Sequence, residues 1–130
     1  MNKIKILIVE DDEEMCEELR EILESEGYLV DVAYNAIGGL RDINIDGYNI
    51  VLLDLKLPGV SGIEVLKYIH EHVIALKVIV LTGSPMAKAE GGDFKHNYPE
   101  LAYASAIMNK PFSIPEVLDK IKQLSDPERS

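Results

Sequence analysis

The chain has 130 residues, 47% of them apolar, which suits one compact domain and leaves no room for a second. Its formal net charge of −10 repels phosphate backbones, so we expect no direct binding to nucleic acid. No apolar run is long enough for a membrane span, and Cys16 is the only cysteine, so the sequence predicts a soluble cytoplasmic protein without disulfides.

Short apolar runs alternate with amphipathic stretches along the whole chain. The runs predict five strands, at residues 4–9, 29–33, 50–53, 78–81 and 106–108. Helical spacing of apolar residues lies between and after them, as at Met15, Leu19 and Leu23 in the first stretch. The order βαβαβαβαβα predicts an α/β fold with a doubly wound, five-stranded parallel sheet that carries helices on both faces.

Two segments depart from this regular pattern. Residues 84–105 contain Pro85, Pro99 and a glycine pair, which predict a long loop with a short helix. Residues 125–130 are polar and predict a frayed tail or the start of a linker. The folded domain should therefore span residues 1–124.

Polar residues follow the predicted strands at the point where each strand ends. Glu10, Asp11 and Asp12 follow the first strand, Asp54 the third, Thr82 the fourth and Lys110 the fifth. Ligands of an open parallel sheet bind beyond the carboxyl ends of its strands. We therefore expect these side chains to converge on one edge of the sheet.

Carboxylates that converge in this way repel one another. Two unit charges about 4 Å apart cost roughly 4 kcal/mol at an effective dielectric constant near 20, so the cluster needs a cation or raised pKa values. Oxygen ligands without His or Cys favour Mg²⁺, with Mn²⁺ as a substitute, over zinc. A purely structural use is the alternative, with Asp12 as a helix cap and Glu13 and Glu14 placed favourably in the helix dipole.

A carboxylate beside a metal can also act as a nucleophile and form an aspartyl phosphate. The phosphoryl oxygens then need cationic and hydrogen-bonding partners. The ammonium group of Lys110 can pair with one oxygen, and the hydroxyl group of Thr82 can donate to another. The alternatives are a solvated surface lysine at Lys110 and a strand-end hydroxyl at Thr82, but together the two residues favour phosphoryl chemistry at Asp54.

Four motifs carry a resemblance to a known family over nearly the whole length of the chain. They are Ile6-Leu-Ile-Val-Glu-Asp-Asp12, Asp54-Leu-Lys-Leu-Pro-Gly-Val-Ser-Gly62, Val80-Leu-Thr-Gly83 and Lys110-Pro-Phe112. With these motifs in this order, the chain resembles the receiver domain of two-component response regulators, of the chemotaxis-regulator type. The resemblance implies a flavodoxin-like sheet with strand order 2-1-3-4-5.

The resemblance also assigns the acceptor and the metal ligands. It makes Asp54 the phospho-acceptor and gives Mg²⁺ the side chains of Glu10, Asp11 and Asp54 together with the backbone carbonyl of Lys56. We choose Glu10 and Asp11 because they directly follow the apolar run, although a shift by one residue would place Asp12 at the metal instead.

Two further residues receive roles from the same resemblance. Thr82 becomes the hydroxyl that switches, and Lys110 becomes the lysine that binds the phosphoryl group. The peptide bond between Lys110 and Pro111 is expected to be cis, which occurs almost only before proline.

The implied function is a signalling switch rather than an enzyme for external substrates. A sensor histidine kinase or phosphotransfer protein would supply the phosphoryl group, and the domain would catalyse only its own phosphoryl transfer and dephosphorylation. Movement of Thr82 would then change the face around the fourth helix, between the fourth and fifth strands, to which a downstream effector protein or domain binds. The resemblance allows a monomer or a phosphorylation-dependent dimer.

The chain departs from the family pattern at Ile107, where receiver domains usually carry Tyr or Phe, and in the unusual length of the span from Thr82 to Lys110. Because of these departures, one alternative is that the chain is a docking module of the same fold that works without phosphorylation. A haloacid-dehalogenase-like phosphohydrolase is a second rival. It needs an acid two residues after its nucleophile, and Lys56 in that position argues against it.

Overall fold

The computed structural model describes residues 3–73, 75–83 and 99–125. The strands are Lys5–Val9 (β1), Leu29–Ala33 (β2), Ile50–Asp54 (β3), Lys77–Thr82 (β4) and Ala106–Asn109 (β5). The α-helices are Glu13–Ser25 (α1), Ala36–Ile45 (α2), Gly62–His72 (α3) and Ile114–Ser125 (α4), and a 3-10 helix covers Pro99–Tyr103. Each predicted strand is present, displaced by no more than one residue at either end.

The five strands form one parallel sheet in the order β2-β1-β3-β4-β5. This confirms the predicted doubly wound α/β fold and its flavodoxin-like strand order. The register pairs Val9 with Leu53 and Thr82 with Asn109, so the carboxyl ends of four strands lie at one level. The residues that follow these ends therefore meet at a single edge.

Two apolar layers hold the helices against the sheet, one on each face. The layer towards α2 and α3 contains Leu7, Val9, Val51, Leu53, Val65, Leu66 and Ile69. The layer towards α1 and α4 contains Ile6, Ile8, Ile50, Leu52, Leu19, Leu23, Val117 and Ile121. Because both faces are covered, the central strands are apolar at successive positions instead of alternating with polar residues.

The helix ends follow the local signals in the sequence. Gly27 has a φ of +97°, a conformation that favours glycine, just beyond the end of α1. Before α4, the Ser113 hydroxyl accepts from the backbone N–H of Glu116 at 3.2 Å, while the Glu116 carboxylate accepts from the Ser113 N–H at 3.3 Å. Among the helices that the structure describes, none has the length and apolar character needed to cross a membrane.

The segment between β4 and β5 is only partly described. The 3-10 helix at Pro99–Tyr103 matches the short helix predicted within residues 84–105. Residues 84–98 lie outside the described residues, and so does the predicted tail from residue 126 onwards. The limit of the domain at residue 124 stays a prediction, and α4 runs one residue beyond it.

Gly62, the first residue of α3, packs directly on the end of β3. A Cβ at this position would collide with the carbonyl oxygen of Asp54 and lie 2.7 Å from the Cα of Leu55. Both are backbone atoms and cannot rotate away. We therefore expect Gly62→Ala to lower the free energy of unfolding by about 3 kcal/mol, as measured by urea denaturation.

Gly47→Ala is the matched control for this variant. A Cβ at Gly47 would meet no atom within 4 Å, so its effect should stay below about 0.5 kcal/mol. Equal stability of the two variants would contradict the close approach of α3 to β3.

Candidate functional site

Three carboxylates meet at the carboxyl edge of the sheet. Glu10, Asp11 and Asp54 each offer one oxygen atom, and these atoms lie within 4.8 Å of one another. Glu10 and Asp54 are buried, with 1% and 4% of their surface exposed, while Asp11 faces solvent. A set of hard oxygen donors with one open side fits Mg²⁺, which retains several water ligands.

The buried carboxylate of Glu10 is held by two donors. Its Oε1 accepts from the Lys110 Nζ at 2.6 Å, and its Oε2 accepts from the backbone N–H of Asp12 at 3.1 Å. Its main chain is fixed as well, because its N–H donates to the Ala33 carbonyl at 3.1 Å and its carbonyl accepts from the Cys16 thiol at 3.3 Å. Glu10 therefore has little freedom to reorient.

Lys110 lies between two of the carboxylates. Its Nζ is 2.6 Å from Glu10 and 3.4 Å from the Oδ2 of Asp54. Burial is the largest single influence on the pKa of Lys110 and lowers it, but the hydrogen bond to Glu10 and the charges of Asp54 and Glu10 together raise the pKa above its usual value. The amine therefore stays charged and offsets part of the local negative charge.

Asp54 is the last residue of β3. Its Oδ1 accepts from the backbone N–H of Lys56 at 3.2 Å, which leaves Oδ2 facing Lys110. Thr82, the last residue of β4, is only 2% exposed, and its backbone carbonyl accepts from the N–H of Lys110 at 2.8 Å. The edge thus brings together a carboxylate, a hydroxyl-bearing residue and a cation. The Lys56 carbonyl, predicted as a metal ligand, belongs to the loop directly after Asp54.

Asp12 has a different use from its two acidic neighbours. Its Oδ1 accepts from the backbone N–H of Met15 at 3.1 Å, so it caps the N-terminus of α1. The carboxylate oxygens that converge belong to Glu10, Asp11 and Asp54. The geometry therefore favours Glu10 and Asp11 over Asp12 as metal ligands.

Cys16 contacts this site through the Glu10 carbonyl, and no sequence pattern assigned it that role. It is fully buried on α1, and burial raises the pKa of its thiol to about 12, with nearby carboxylates adding to the effect. The thiol therefore keeps its proton and can donate to the Glu10 carbonyl. The predicted cis bond between Lys110 and Pro111 is confirmed.

The departure at Ile107 is visible in the packing. Ile107 lies on β5, half-buried against the apolar layer beneath α3. The aromatic ring of Tyr103, in the 3-10 helix, stacks on His70 of α3 with ring centroids 3.6 Å apart. The aromatic side chain that receiver domains usually carry at this point of β5 is therefore replaced by an aliphatic one.

The pKa of Asp11 is raised, first by its hydrogen bond with Glu10, then by burial, and also by the charge of Glu10. An acid whose pKa is higher in the folded than in the unfolded state makes the protein lose stability as the pH rises through that pKa. The charged form of Asp11 therefore lowers the stability of the fold.

Asp11→Asn should relieve this repulsion. In EDTA at about pH 7 we expect its Tm to rise by about 1–4 °C, because an exposed charge interaction contributes at most about 1 kcal/mol. The gain should shrink as the pH falls through the pKa of Asp11, and thermal unfolding followed by circular dichroism measures both. Asp12→Asn keeps a capping side chain and should leave Tm nearly unchanged. A lower Tm for metal-free Asp11→Asn would contradict the crowding of charge.

Comparison with known proteins identifies the family. The family model described as the response regulator receiver domain matches residues 6–122. The chain belongs to this family. The resemblance carried by its four motifs is thereby confirmed.

Individual relatives agree with this assignment. An uncharacterized transcriptional regulatory protein of Bacillus subtilis, YkoG, is 40% identical over 124 residues, which cover 94% of this chain and 51% of the relative. The chain thus spans about half the length of the curated relatives it matches. The CheY-like receiver domain protein of Methanospirillum hungatei matches with a TM-score of 0.84 and 36% identity, over 98% of both chains.

A third similar protein, the response regulator TrrA of Thermotoga maritima, has been solved in complex with Mg²⁺ and BeF. That structure matches with a TM-score of 0.80 and 30% identity, over 93% of this chain and 98% of TrrA. TrrA has also been solved in complex with the histidine kinase ThkA.

Proposed function

We propose that the chain is a phosphorylation-activated switch in which Asp54 accepts a phosphoryl group in a reaction that requires Mg²⁺. The observation that carries this proposal is the position of the buried Asp54 carboxylate, which lies in the cluster with Glu10 and Asp11 and 3.4 Å from the Lys110 ammonium. The complexes of TrrA with Mg²⁺ and BeF and with a histidine kinase support it. The phosphoryl donor would be a sensor histidine kinase or a phosphotransfer protein.

The chain's own residues suit an in-line transfer from phosphohistidine. A carboxylate oxygen of Asp54 forms the new bond to phosphorus, while the bond from phosphorus to the donor's imidazole nitrogen breaks and its electron pair leaves with the imidazole. Lys110 pairs with one phosphoryl oxygen, and the Thr82 hydroxyl donates to another. The domain thus catalyses its own phosphoryl transfer, and water would later remove the group from Asp54.

The metal would be held by the side chains of Glu10, Asp11 and Asp54 and by the carbonyl of Lys56. When bound, Mg²⁺ supplies positive charge that stabilises the phosphoryl oxygens during transfer. Mn²⁺ accepts the same hard oxygen ligands and should substitute for it.

The output of the switch would start at Thr82. Attraction of its hydroxyl to the phosphoryl group would move the loop after β4 and the face around the predicted fourth helix. This predicted helix is not α4 but lies between β4 and β5, where the structure describes the 3-10 helix at Pro99–Tyr103 and where residues 84–98 lie outside the described residues. A downstream effector protein or domain would read this change in the cytoplasm, with the receiver as a monomer or a phosphorylation-dependent dimer.

Ile107 favours one alternative, a docking module that works without phosphorylation. The aliphatic side chain packs against the core where other receivers use an aromatic ring to report activation, so coupling to the output face would differ. Signalling in the host cell that survives the Asp54→Asn exchange would favour this alternative over the phosphorylation switch.

Removal of the metal tests the proposed reaction. We expect phosphoramidate, a small phosphodonor, to add one phosphoryl group to the protein in Mg²⁺, and we expect the rate to fall by about 10²-fold or more in EDTA. Replacement of Mg²⁺ by Mn²⁺ should restore the reaction, and intact mass spectrometry measures each case. An unchanged rate in EDTA would contradict the metal requirement, and a folded protein without any adduct in Mg²⁺ would contradict the switch.

A further inference from the structure

Cys16 makes two hydrogen bonds to the segment between β1 and α1. Its backbone N–H donates to the Asp12 carbonyl at 3.0 Å, which is the first hydrogen bond of the helix. Its thiol reaches back further and donates to the Glu10 carbonyl at 3.3 Å. The side chain is fully buried, so water does not compete for this second contact.

The thiol acts on the peptide that joins the two acidic residues. The carbonyl of Glu10 belongs to the peptide bond whose nitrogen is that of Asp11, so its orientation sets the direction in which both side chains leave the main chain. The N–H of Glu10 is held on the other side by the Ala33 carbonyl of β2. The main chain of Glu10 is thus held on one side by the Cys16 thiol of α1 and on the other side by the sheet.

We propose that Cys16 is a positioning residue for the metal site, whose thiol aims the carboxylates of Glu10 and Asp11. The inference rests on the proposed function, because it assumes that these carboxylates hold Mg²⁺. A residue needed only to fill the space beneath α1 could be replaced by an apolar side chain of similar size. A residue that positions the metal ligands instead needs a group that can donate a hydrogen bond to the Glu10 carbonyl.

The expected loss of Mg²⁺ affinity on removal of the thiol follows from the strength of its hydrogen bond to Glu10. Loss of a group that orients a metal ligand lowers metal affinity by roughly 10–100-fold. A thiol is a weak donor, so we expect a smaller effect, about 3–10-fold in the Kd for Mg²⁺.

Cys16→Ala and Cys16→Ser form a matched pair, because the two side chains are similar in size and differ in the hydroxyl donor. Isothermal titration with MgCl₂ should show about 3–10-fold weaker binding for Cys16→Ala, and binding within about twofold of wild type for Cys16→Ser. If Mg²⁺ affinity only followed the stability of the fold, Cys16→Ser would bind Mg²⁺ no better than Cys16→Ala. A hydroxyl group buried in a helix costs at least as much stability as the small cavity left by alanine. Cys16→Val removes the donor without leaving a cavity and should bind Mg²⁺ as weakly as Cys16→Ala.

Leu23→Ala serves as the control for lost stability. Leu23 is buried on the same helix, two turns beyond Cys16, so this variant should lower Tm without changing the Kd for Mg²⁺. Wild-type affinity in Cys16→Ala and Cys16→Val, or equal weakness in Cys16→Ser and Cys16→Ala, would overturn the inference. Such a result would leave the proposed switch standing if wild type still takes up one phosphoryl group in Mg²⁺. A wild-type protein that binds no Mg²⁺ would overturn both.

Discussion

Asp54→Asn is expected to abolish the phosphoryl adduct while the protein stays folded. Asparagine has the same shape and can still accept from the backbone N–H of Lys56 through its Oδ1, so the end of β3 should keep its conformation. It lacks the anionic oxygen that would attack phosphorus, and its amide group would face the Lys110 ammonium as a second donor. Intact mass after incubation with phosphoramidate and Mg²⁺ should therefore show no adduct, against complete or partial labelling of wild type.

Asp12→Asn is the matched control for this loss. It removes one carboxylate from the same acidic segment, but asparagine caps a helix as well as aspartate does, and the cap to Met15 should persist. We expect this variant to be labelled like wild type. Labelling of Asp54→Asn to the wild-type extent would show that another residue accepts the phosphoryl group.

Lys110→Ala should change phosphoryl transfer and metal binding in opposite directions. Its ammonium is the cation 2.6 Å from Glu10 and 3.4 Å from Asp54, so it competes with Mg²⁺ for the same oxygens. Without it, Mg²⁺ should bind up to about tenfold more tightly, which corresponds to about 1.4 kcal/mol. Transfer should nevertheless slow by about 10²–10³-fold, because a donor to the charged phosphoryl oxygens is lost.

Lys56→Ala separates this effect from a general loss of positive charge. Lys56 is exposed, and its proposed role uses the main chain, so removal of its side chain should leave the Kd for Mg²⁺ and the labelling rate within about threefold of wild type. Titration calorimetry and timed mass spectrometry measure the two quantities. Weaker Mg²⁺ binding in Lys110→Ala, or transfer at the wild-type rate, would contradict the position assigned to the ammonium.

The fold could be predicted from the sequence because the apolar runs, the amphipathic stretches and the polar residues at the strand ends all indicate the same parallel sheet. The central strands are apolar without alternation, as burial on both faces requires, and the amphipathic stretches between them supply the covering helices. Polar residues break each run where a strand ends, so the parallel topology alone brings Asp54 and Lys110 together.

Other features of the site depend on geometry that a linear pattern does not carry. The sequence favours Glu10 and Asp11 but leaves Asp12 open as a ligand. The start of α1 at Glu13 makes Asp12 the cap, and the oxygens that converge with Asp54 belong to Glu10 and Asp11. The thiol of Cys16 looks like any buried helical side chain until its direction towards Glu10 is known.

The packing around β5 and the 3-10 helix also could not be predicted from the sequence. The sequence shows that Ile107 stands where receivers usually carry an aromatic residue, but it does not show that Ile107 packs half-buried against the core. The stacking of Tyr103 on His70 joins residues of two separate elements, and no periodicity predicts such a pair. The stacked pair depends on the packing of α3 against the 3-10 helix.

Direct identification of the phosphorylated residue tests the central claim. Borohydride reduces an acyl phosphate to an alcohol, so treatment of the phosphorylated protein should convert the acceptor aspartate into homoserine, which tandem mass spectrometry of its peptides can locate. Homoserine at position 54 alone, formed only after incubation with phosphodonor and Mg²⁺, is the predicted result. Conversion at Asp11 or Asp12, or a phosphoryl group that resists borohydride, would contradict Asp54 as the acceptor.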